Sequence, residues 1–486
     1  MELENRPTED SEQGRGYPQG RFKLLLVLLV AILIVLGLAQ FTETRAVEPS
    51  GDSETALQGD VAAKTAYLYT HRFPAFRSQT RQYVDLAFLR YEQAAREGAT
   101  PGIYRRLIIL SHEFDRRNTP RNIARLDGLE VDKPQRSDLS REVAMWRTIY
   151  LSSRALSRSE SDDYAGRIRQ LDLGWYEHVA LNHLYSRADL AEQARAEMNL
   201  AADDAMRTLV LLVVVVVVIF GLGVAGLGLL IWYLGKRRKG EGSADLPSST
   251  DDPVRRSMVA GYLLEAFIAY MLAIIAVQLL GGMILNAVDI TFSAMGEVIA
   301  TVAVYVLSGL LALSILSERL RSCGWTWADI GLRSRQPFMD VVWGIGAYAA
   351  ALPLVVITAL IVQWISRYIP SPDNPIVPLF IESDSWPAKV VLFLLAAVAA
   401  PFFEELFFRG VLFSSLRAKW GVAAGVIASA AIFGAVHPLP IGLLPILVLG
   451  AVFAVVFHER GSLLPSMVAH ACNNAVAFAL LLILTG

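Results

Sequence analysis

The sequence predicts an all-α protein, a multi-pass transmembrane helical bundle with an extracytoplasmic helical domain. Of its 486 residues, 54% are hydrophobic and 19% are charged, and the mean hydropathy is +0.42. This composition excludes a disordered chain and an ordinary soluble protein. Apolar stretches of about 20 residues, long enough to span a bilayer, recur along the chain. The polar segment after the first stretch has apolar residues three and four positions apart, which is typical of amphipathic helices.

Nine membrane spans are predicted. The first, Leu24 to Phe41, is interpreted as an anchor because a long acidic segment precedes it, and a cleaved signal peptide is the alternative. Prolines near the last four spans favour short, tilted or re-entrant segments as an alternative there. The other eight run from Leu209 to Leu234, Met258 to Ala287, Met295 to Leu316, Met339 to Ile365, Ala388 to Phe408, Val422 to Val436, Ile441 to Phe457 and Leu463 to Leu484.

Basic residues beside the spans give the predicted orientation. Four of them, Lys236 to Lys239, follow the second span directly, and such a cluster marks the cytoplasmic side of a plasma (inner) membrane. The predicted parts are therefore a cytoplasmic tail with the first anchor (1–41), an extracytoplasmic helical domain (42–206), a second transmembrane helix (207–235), a cytoplasmic linker (236–257) and a seven-span domain (258–486).

Charge and cysteine content narrow the possible partners. Lys and Arg number 44 and Asp and Glu 46, so no basic field predicts nucleic-acid binding. The two cysteines, Cys323 and Cys472, lie far apart and form no CxxC pattern. The predicted partners are the lipid bilayer and a protein or peptide substrate. The sequence of that substrate and the number of subunits do not follow from the chain.

Polar residues in the late spans are the candidates for function, because each costs several kcal/mol in hydrocarbon unless it is paired or faces a wet cavity. Glu405 and Arg409 are four positions apart, so they are expected to pair on one helix face. Glu404 is then rotated about 100° away and left free for proton transfer. The full set is Glu404, Glu405, Arg409, His437, His470, Asn473 and Asn474.

The spacing of the other polar residues favours a hydrolytic site. His437 is followed by Pro438 and is expected at a helix end, whereas His470 and Asn474 share one helix face. A carboxylate, two imidazoles and an amide can supply a general base and stabilise an oxyanion, so hydrolysis of an acyl bond is predicted. The alternative is that the Glu–Arg pair and the histidines only hold helices together.

Three motifs in this order resemble the CPBP family of intramembrane proteases, which includes the type II CAAX prenyl endopeptidases and the lysostaphin-resistance-like proteins. The motifs are EExxxR from Glu404 to Arg409, FxxxH from Phe433 to His437 and HxxxN from His470 to Asn474. The resemblance covers roughly Trp325 to Gly486. It implies peptide-bond hydrolysis within the membrane.

The resemblance also implies roles for individual residues. Glu404 and His437 would activate water, His470 and Asn474 would hold the oxyanion, and Glu405 with Arg409 would support the site. Zinc bound by Glu404, His437 and His470 is the alternative, because the family has often been described as metalloproteases. The chain has no HExxH motif, so a metal-free mechanism without a cofactor is favoured.

Two questions stay open at the level of sequence. Depth along the spans places Glu404 towards the inner side and His437 towards the outer side, which conflicts with joint catalysis unless the seventh span is short or starts deep. The favoured function is an intramembrane endopeptidase whose outer domain recruits or screens substrates. The alternative is a catalytically inactive scaffold or bacteriocin-immunity-type protein that acts through residues 42–206.

Overall fold

A computed structural model describes residues 17–46, 54–131, 133–238, 252–288, 293–322, 324–365, 380, 385–437 and 443–485. These residues contain helices, turns and bends but no strand, so the all-α prediction is confirmed. The chain divides into two compact units, one of residues 1–46 with 218–478 and the other of residues 47–217 with 479–486. Most of the predicted cytoplasmic linker, 239–251, lies outside the described residues.

The second unit contains the predicted helical domain. Its helices begin where the sequence supplies caps: Thr100 accepts a hydrogen bond from Ile103 N, and Ser157 forms a capping box with Glu160. Trp146 and Tyr67 are among its fully buried side chains. The helices are α2 (Glu54–His71), α3 (Arg77–Glu97), α4 (Pro101–Phe114), α5 (Thr119–Asp127), α6 (Lys133–Tyr150), α7 (Arg158–Arg169), α8 (Trp175–Arg187) and the first part of α9 (Ala191–Arg238).

Three histidines of the helical domain gather around one carboxylate. Glu113 accepts hydrogen bonds from Nε2 of His183 at 2.6 Å and from Nε2 of His71 at 2.8 Å. His112 stacks on the Tyr150 ring, with 4.3 Å between ring centroids, and contacts His183 edge-on. Burial lowers the pKa of His112 to about 3, and the positive charges of His183 and Arg116 add to this effect.

The helices of the first unit are long and apolar. Eight helices of the described chain could cross a membrane by length and composition, and these include α9. The helices are α1 (Gln19–Ala46), α10 (Pro253–Val288), α11 (Ala294–Ser322), α12 (Pro337–Ile365), α13 (Trp386–Trp420), α14 (Val422–Ala435), α15 (Leu443–Arg460) and α16 (Leu464–Thr485), together with the second part of α9.

The seventh predicted span differs from the other eight. It is α14, a helix of 14 residues, which at 1.5 Å per residue extends about 21 Å and is shorter than the roughly 30 Å hydrocarbon core. The first residues of α14 follow Arg417, and Arg417 Nη1 lies 3.2 Å from Nδ1 of His458 at the end of α15. Helices α14 and α15 therefore form a hairpin that begins and ends at one level.

The same end of the unit gathers several basic side chains. Arg237, at the end of α9, pairs with Glu459 at 2.7 Å, and Arg460 pairs with Asp340 of α12 at 2.8 Å. Together with Arg417 these contacts converge on the last turn of α15. Helix α15 therefore ends at the level where α14 begins. Helix α16 starts from this same level even though α14 is too short to cross the hydrocarbon core.

The first helix packs into the bundle through a buried acid. Glu265 of α10 accepts a hydrogen bond from the Tyr17 hydroxyl and pairs with Arg21 at 2.7 Å and with Arg319 of α11 at 3.4 Å. Phe22 contributes to the same apolar core. Residues on both sides of the start of α1 thus fix it to α10 and α11.

We expect the helical domain to lose stability in acid because of His112. Its ordinary pKa is 6.5, so below that pH the unfolded chain takes up a proton that the folded domain excludes, and stability falls as the pH falls. At pH 5 the loss is about 2 kcal/mol for an imidazole that stays neutral when folded. Hydrogen exchange in α4 of the full chain, corrected for intrinsic rates, measures it.

The matched variant is His112→Phe, which keeps an aromatic ring against Tyr150 but has no proton to gain. Its protection should depend less on pH between 7 and 5 than that of the wild type. Equal pH dependence in the two chains would show that His112 does not carry the effect.

Candidate active site

The two glutamates lie on α13 between two stretches of π-helix. Leu395–Ala399 and Leu406–Phe413 are π-helical, and Ala400–Glu405 between them is α-helical. A π-helical stretch widens the helix by one residue and changes the direction of the side chains that follow, and such stretches are frequent at functional sites. Glu404 and Glu405 end the α-helical segment, so both carboxylates emerge where the helix changes its pitch.

Asn474 of α16 satisfies a backbone oxygen that this distortion leaves open. The N–H of Ala400, which an α-helix would direct to Ala396 O, bonds to Leu395 O instead. The next residue, Pro401, has no N–H to offer. Asn474 Nδ2 donates to Ala396 O at 2.8 Å, which removes the cost of an unpaired buried carbonyl. This bond ties α16 to the first π-helical stretch.

Glu405 is the centre of a buried polar network. Its Oε1 accepts hydrogen bonds from Arg409 Nη1 at 2.8 Å and from His470 Nδ1 at 2.9 Å. Glu405 is 0% exposed and Arg409 1%. The pair that the sequence predicts from its four-residue spacing is therefore formed, and it links α13 to α16.

Aromatic rings surround the Arg409 guanidinium. Its Cζ lies 4.2 Å from the Phe433 ring centroid of α14 and 5.2 Å from that of Phe453 of α15. Arg409 Nη2 also donates to Gly450 O of α15 at 3.4 Å. A desolvated cation over aromatic faces gains about 2 kcal/mol, so the charge joins α13 to both helices of the hairpin.

His470 lies between the two glutamates. Because Nδ1 donates to Glu405, Nε2 is the atom directed at Glu404, and it lies 3.9 Å from Glu404 Oε2. Its ring stacks on Phe453 at 5.3 Å between centroids. Glu404 Oε2 is buried and has no hydrogen-bond partner within the described residues. When either His470 Nε2 or the Glu404 carboxyl carries a proton, the two groups attract each other.

One nitrogen of the His437 ring is bonded to the backbone of its own segment. Its Nδ1 lies 2.6 Å from Phe433 O, and a carbonyl oxygen only accepts, so Nδ1 carries the proton. In the neutral imidazole, Nε2 is then a free proton acceptor. The Phe433 ring lies 4.7 Å from the His437 ring and 5.9 Å from the His470 ring, so it contacts both histidines.

A comparison with family models identifies this part of the chain. Residues 386–476 match the model described as "Type II CAAX prenyl endopeptidase Rce1-like". This segment of about a fifth of the chain is similar to that family, and we call it the Rce1-like segment. The resemblance of the three motifs to the CPBP family is thereby confirmed. No curated protein and no solved structure matches the chain.

The Rce1-like segment contains every predicted site residue. Glu405 contacts both Arg409 and His470, and His470 lies within ion-pair distance of Glu404. His437 reaches this group through the Phe433 ring, although the sequence placed it at a different depth. The short α14 reduces that conflict. Asn473 Nδ2 donates to Asn474 Oδ1 at 3.2 Å, which orients the Asn474 amide.

Two tyrosines outside the Rce1-like segment pack on the aromatic neighbours of Glu404, Phe407 and Phe403, and the sequence motifs did not predict them. Tyr270 of α10 stacks flat on Phe407, 3.9 Å between centroids, and Glu404 acts electrostatically on its hydroxyl. Glu404 acts in the same way on the hydroxyl of Tyr305 of α11. The available signal was a tyrosine in the middle of an otherwise apolar span.

The residues of the alternative zinc site do not assemble as a metal site. Among the described residues, no group of three or more His, Cys, Asp or Glu side chains could hold a metal ion. No step of the mechanism proposed below passes through a metal.

The Glu405–Arg409 pair should be essential for folding. Arg409→Met leaves a buried carboxylate unpaired, and breaking a buried ion pair in this way costs about 3–5 kcal/mol. Thermal unfolding of the full chain in detergent should show a lower midpoint for this variant. The double variant Glu405→Met/Arg409→Met removes both charges and should recover part of the loss. An Arg409→Met midpoint equal to that of the wild type would contradict the structural role of the pair.

Proposed function

We propose that the chain is an intramembrane endopeptidase that hydrolyses peptide bonds of membrane-associated proteins or peptides. The observation that carries the proposal is the contact between Glu404 and His470 beside the buried Glu405–Arg409 pair, within an Rce1-like segment. Glu404 is the carboxylate that this network leaves available. Charged groups in hydrocarbon are expensive, and those kept there usually serve function.

In the proposed mechanism, Glu404 and His437 activate a water molecule. The water oxygen attacks the carbonyl carbon of the scissile bond while its proton passes to Glu404 or to Nε2 of His437, the imidazole nitrogen that is free to accept it. The tetrahedral intermediate then collapses, the carbon–nitrogen bond breaks, and the same proton moves to the leaving amine. The enzyme returns to its starting protonation state after each cycle.

His470 and Asn474 are the proposed donors to the oxyanion. Nδ1 of His470 is held by Glu405, so a proton on Nε2 makes the ring an imidazolium that can donate to a developing negative charge. An amide carries two donor protons, and the bond from Asn474 to Ala396 O uses one of them. Each of the two side chains is therefore held by one hydrogen bond and has a second N–H that can donate to the oxyanion.

The orientation of the chain is proposed from its charges. Arg237, Arg417 and Arg460 meet at the last turn of α15, and basic residues mark the cytoplasmic side. The amino terminus is then cytoplasmic, and residues 42–206 are extracytoplasmic in a plasma (inner) membrane. In this arrangement the helical domain recruits or screens substrates.

The alternative function is a catalytically inactive scaffold or bacteriocin-immunity-type protein. Polar contacts that hold the fold favour this alternative. Glu405 bonds to both Arg409 and His470, and Arg409 also bonds to Gly450 O, so these contacts join three helices. Under this alternative, loss of the Glu404 carboxylate leaves function intact, whereas deletion of residues 42–206 removes it.

Replacement of Glu404 should abolish proteolysis. Glu404→Gln removes a proton acceptor while keeping the shape of the side chain, and loss of a general base lowers the rate by about 10²–10⁴-fold. Protein termini are compared in membranes that carry the wild type, Glu404→Gln and the control Glu297→Gln, which alters an exposed glutamate of α11. Termini found with the wild type and the control but not with Glu404→Gln would identify substrates. Identical termini in all three would favour the scaffold.

Cleavage should not depend on a metal. A water activated by Glu404 and His437 needs no Lewis acid, so the rate of the purified full chain in liposomes should be unchanged after treatment with 1,10-phenanthroline and dialysis. A loss of activity that added zinc restores would instead support the alternative ligand set of Glu404, His437 and His470.

A further inference from the structure

Tyr305 is placed beside Phe403, the residue before Glu404, by the packing of α11 against α13. Its ring contacts the Phe403 ring edge-on, with 5.9 Å between centroids. One turn further along α11, Gly309 lies so close to Phe403 that a Cβ there would be 2.4 Å from the ring. Gly309 therefore admits the Phe403 ring against the α11 backbone. Tyr305, four residues earlier, lies on the same helix face.

The Tyr305 hydroxyl and the Glu404 carboxylate each have an unused position. The hydroxyl oxygen is buried without a hydrogen-bond partner among the described residues, and the same is true of Glu404 Oε2. Glu404 is also the charged group that acts on this hydroxyl. Inside a membrane an unpaired hydroxyl is costly, and a phenol is a good donor to a carboxylate. The hydroxyl and the carboxylate oxygen are therefore chemically matched as donor and acceptor.

We propose that Tyr305 is a positioning residue whose hydroxyl donates a hydrogen bond to the Glu404 carboxylate and holds it ready to accept a proton from water. This inference rests on the proposed function. It adds to the site a residue from α11, outside the Rce1-like segment of residues 386–476. A carboxylate that receives this bond is favoured in its charged form, which is the form that can act as a base.

The geometry also separates Tyr305 from Tyr270. The Tyr270 ring is parallel to that of Phe407, with 2° between the planes, so its position is explained by stacking. Tyr305 has only an edge contact to Phe403. Packing explains the position of the Tyr305 ring but gives the buried hydroxyl no partner. The proposed bond to Glu404 supplies that partner.

The first test compares Tyr305→Phe with the wild type on a peptide that spans a cleavage site found in the termini comparison. We expect kcat to fall by about tenfold with KM nearly unchanged, because a hydrogen bond worth about 1.4 kcal/mol in the transition state changes the rate tenfold. The acid limb of the pH profile of kcat/KM should move to higher pH by about one unit. Tyr348→Phe is the control, since it removes a buried hydroxyl of α12 whose neighbour is Cys472.

A second readout does not require activity. Dicyclohexylcarbodiimide reacts with protonated carboxyl groups in apolar surroundings, and mass spectrometry of the full chain in liposomes locates the label. In Tyr305→Phe, half-maximal labelling of Glu404 should occur at higher pH than in the wild type and in Tyr348→Phe. Glu404→Gln identifies signal that comes from Glu405.

The outcomes separate this inference from the proposed function. Wild-type kinetics and unchanged labelling in Tyr305→Phe would overturn the role of Tyr305 while the protease stands. A change of KM alone, without a shift in labelling, would also overturn it. If the wild type cleaves nothing, the proposed function fails, and labelling still decides whether the hydroxyl acts on Glu404.

Discussion

The buried contact between Glu405 and Arg409 is the interaction on which the bundle around the site depends. A single charge in hydrocarbon is unfavourable, so each member of the pair needs the other, and the remaining hydrogen-bonding groups need partners from neighbouring helices. His470 of α16, Gly450 of α15 and the Phe433 ring of α14 supply them. One helix-internal ion pair thereby fixes the positions of three other helices.

The distortion of α13 likewise leaves a polar group that needs a partner from another helix, in this case a backbone oxygen. Pro401 and the π-helical stretch before it leave the Ala396 carbonyl without an N–H partner, and a membrane offers no water to replace it. The Asn474 amide takes this position. The Asn474 amide thus ties α16 to α13. Glu404 Oε2 and Glu405 Oε2 are buried carboxylate oxygens of α13 that have no hydrogen-bond partner within the described residues.

The two units of the chain are stabilised by different kinds of contact. In the helical domain, caps, buried aromatic rings and a Glu113 carboxylate held by two histidines stabilise short helices. In the membrane unit, the helices are long apolar segments, and their relative positions are set by a few polar contacts and small residues such as Gly309. The polar residues of the candidate site therefore belong to these few polar contacts between the membrane helices.

The sequence by itself determined the all-α class, eight of the nine spans and the Glu405–Arg409 pair, because apolar length and four-residue spacing are local properties of a helix. It also supplied three motifs that resemble the CPBP family, and the Rce1-like match covers the segment that contains them. Only the tertiary structure decided that His470 bonds to Glu405, that Asn474 bonds to Ala396 and that Tyr305 packs on Phe403, the residue before Glu404. These contacts join residues far apart in the chain, and their geometry depends on helix packing and on π-helical stretches that no residue spacing encodes.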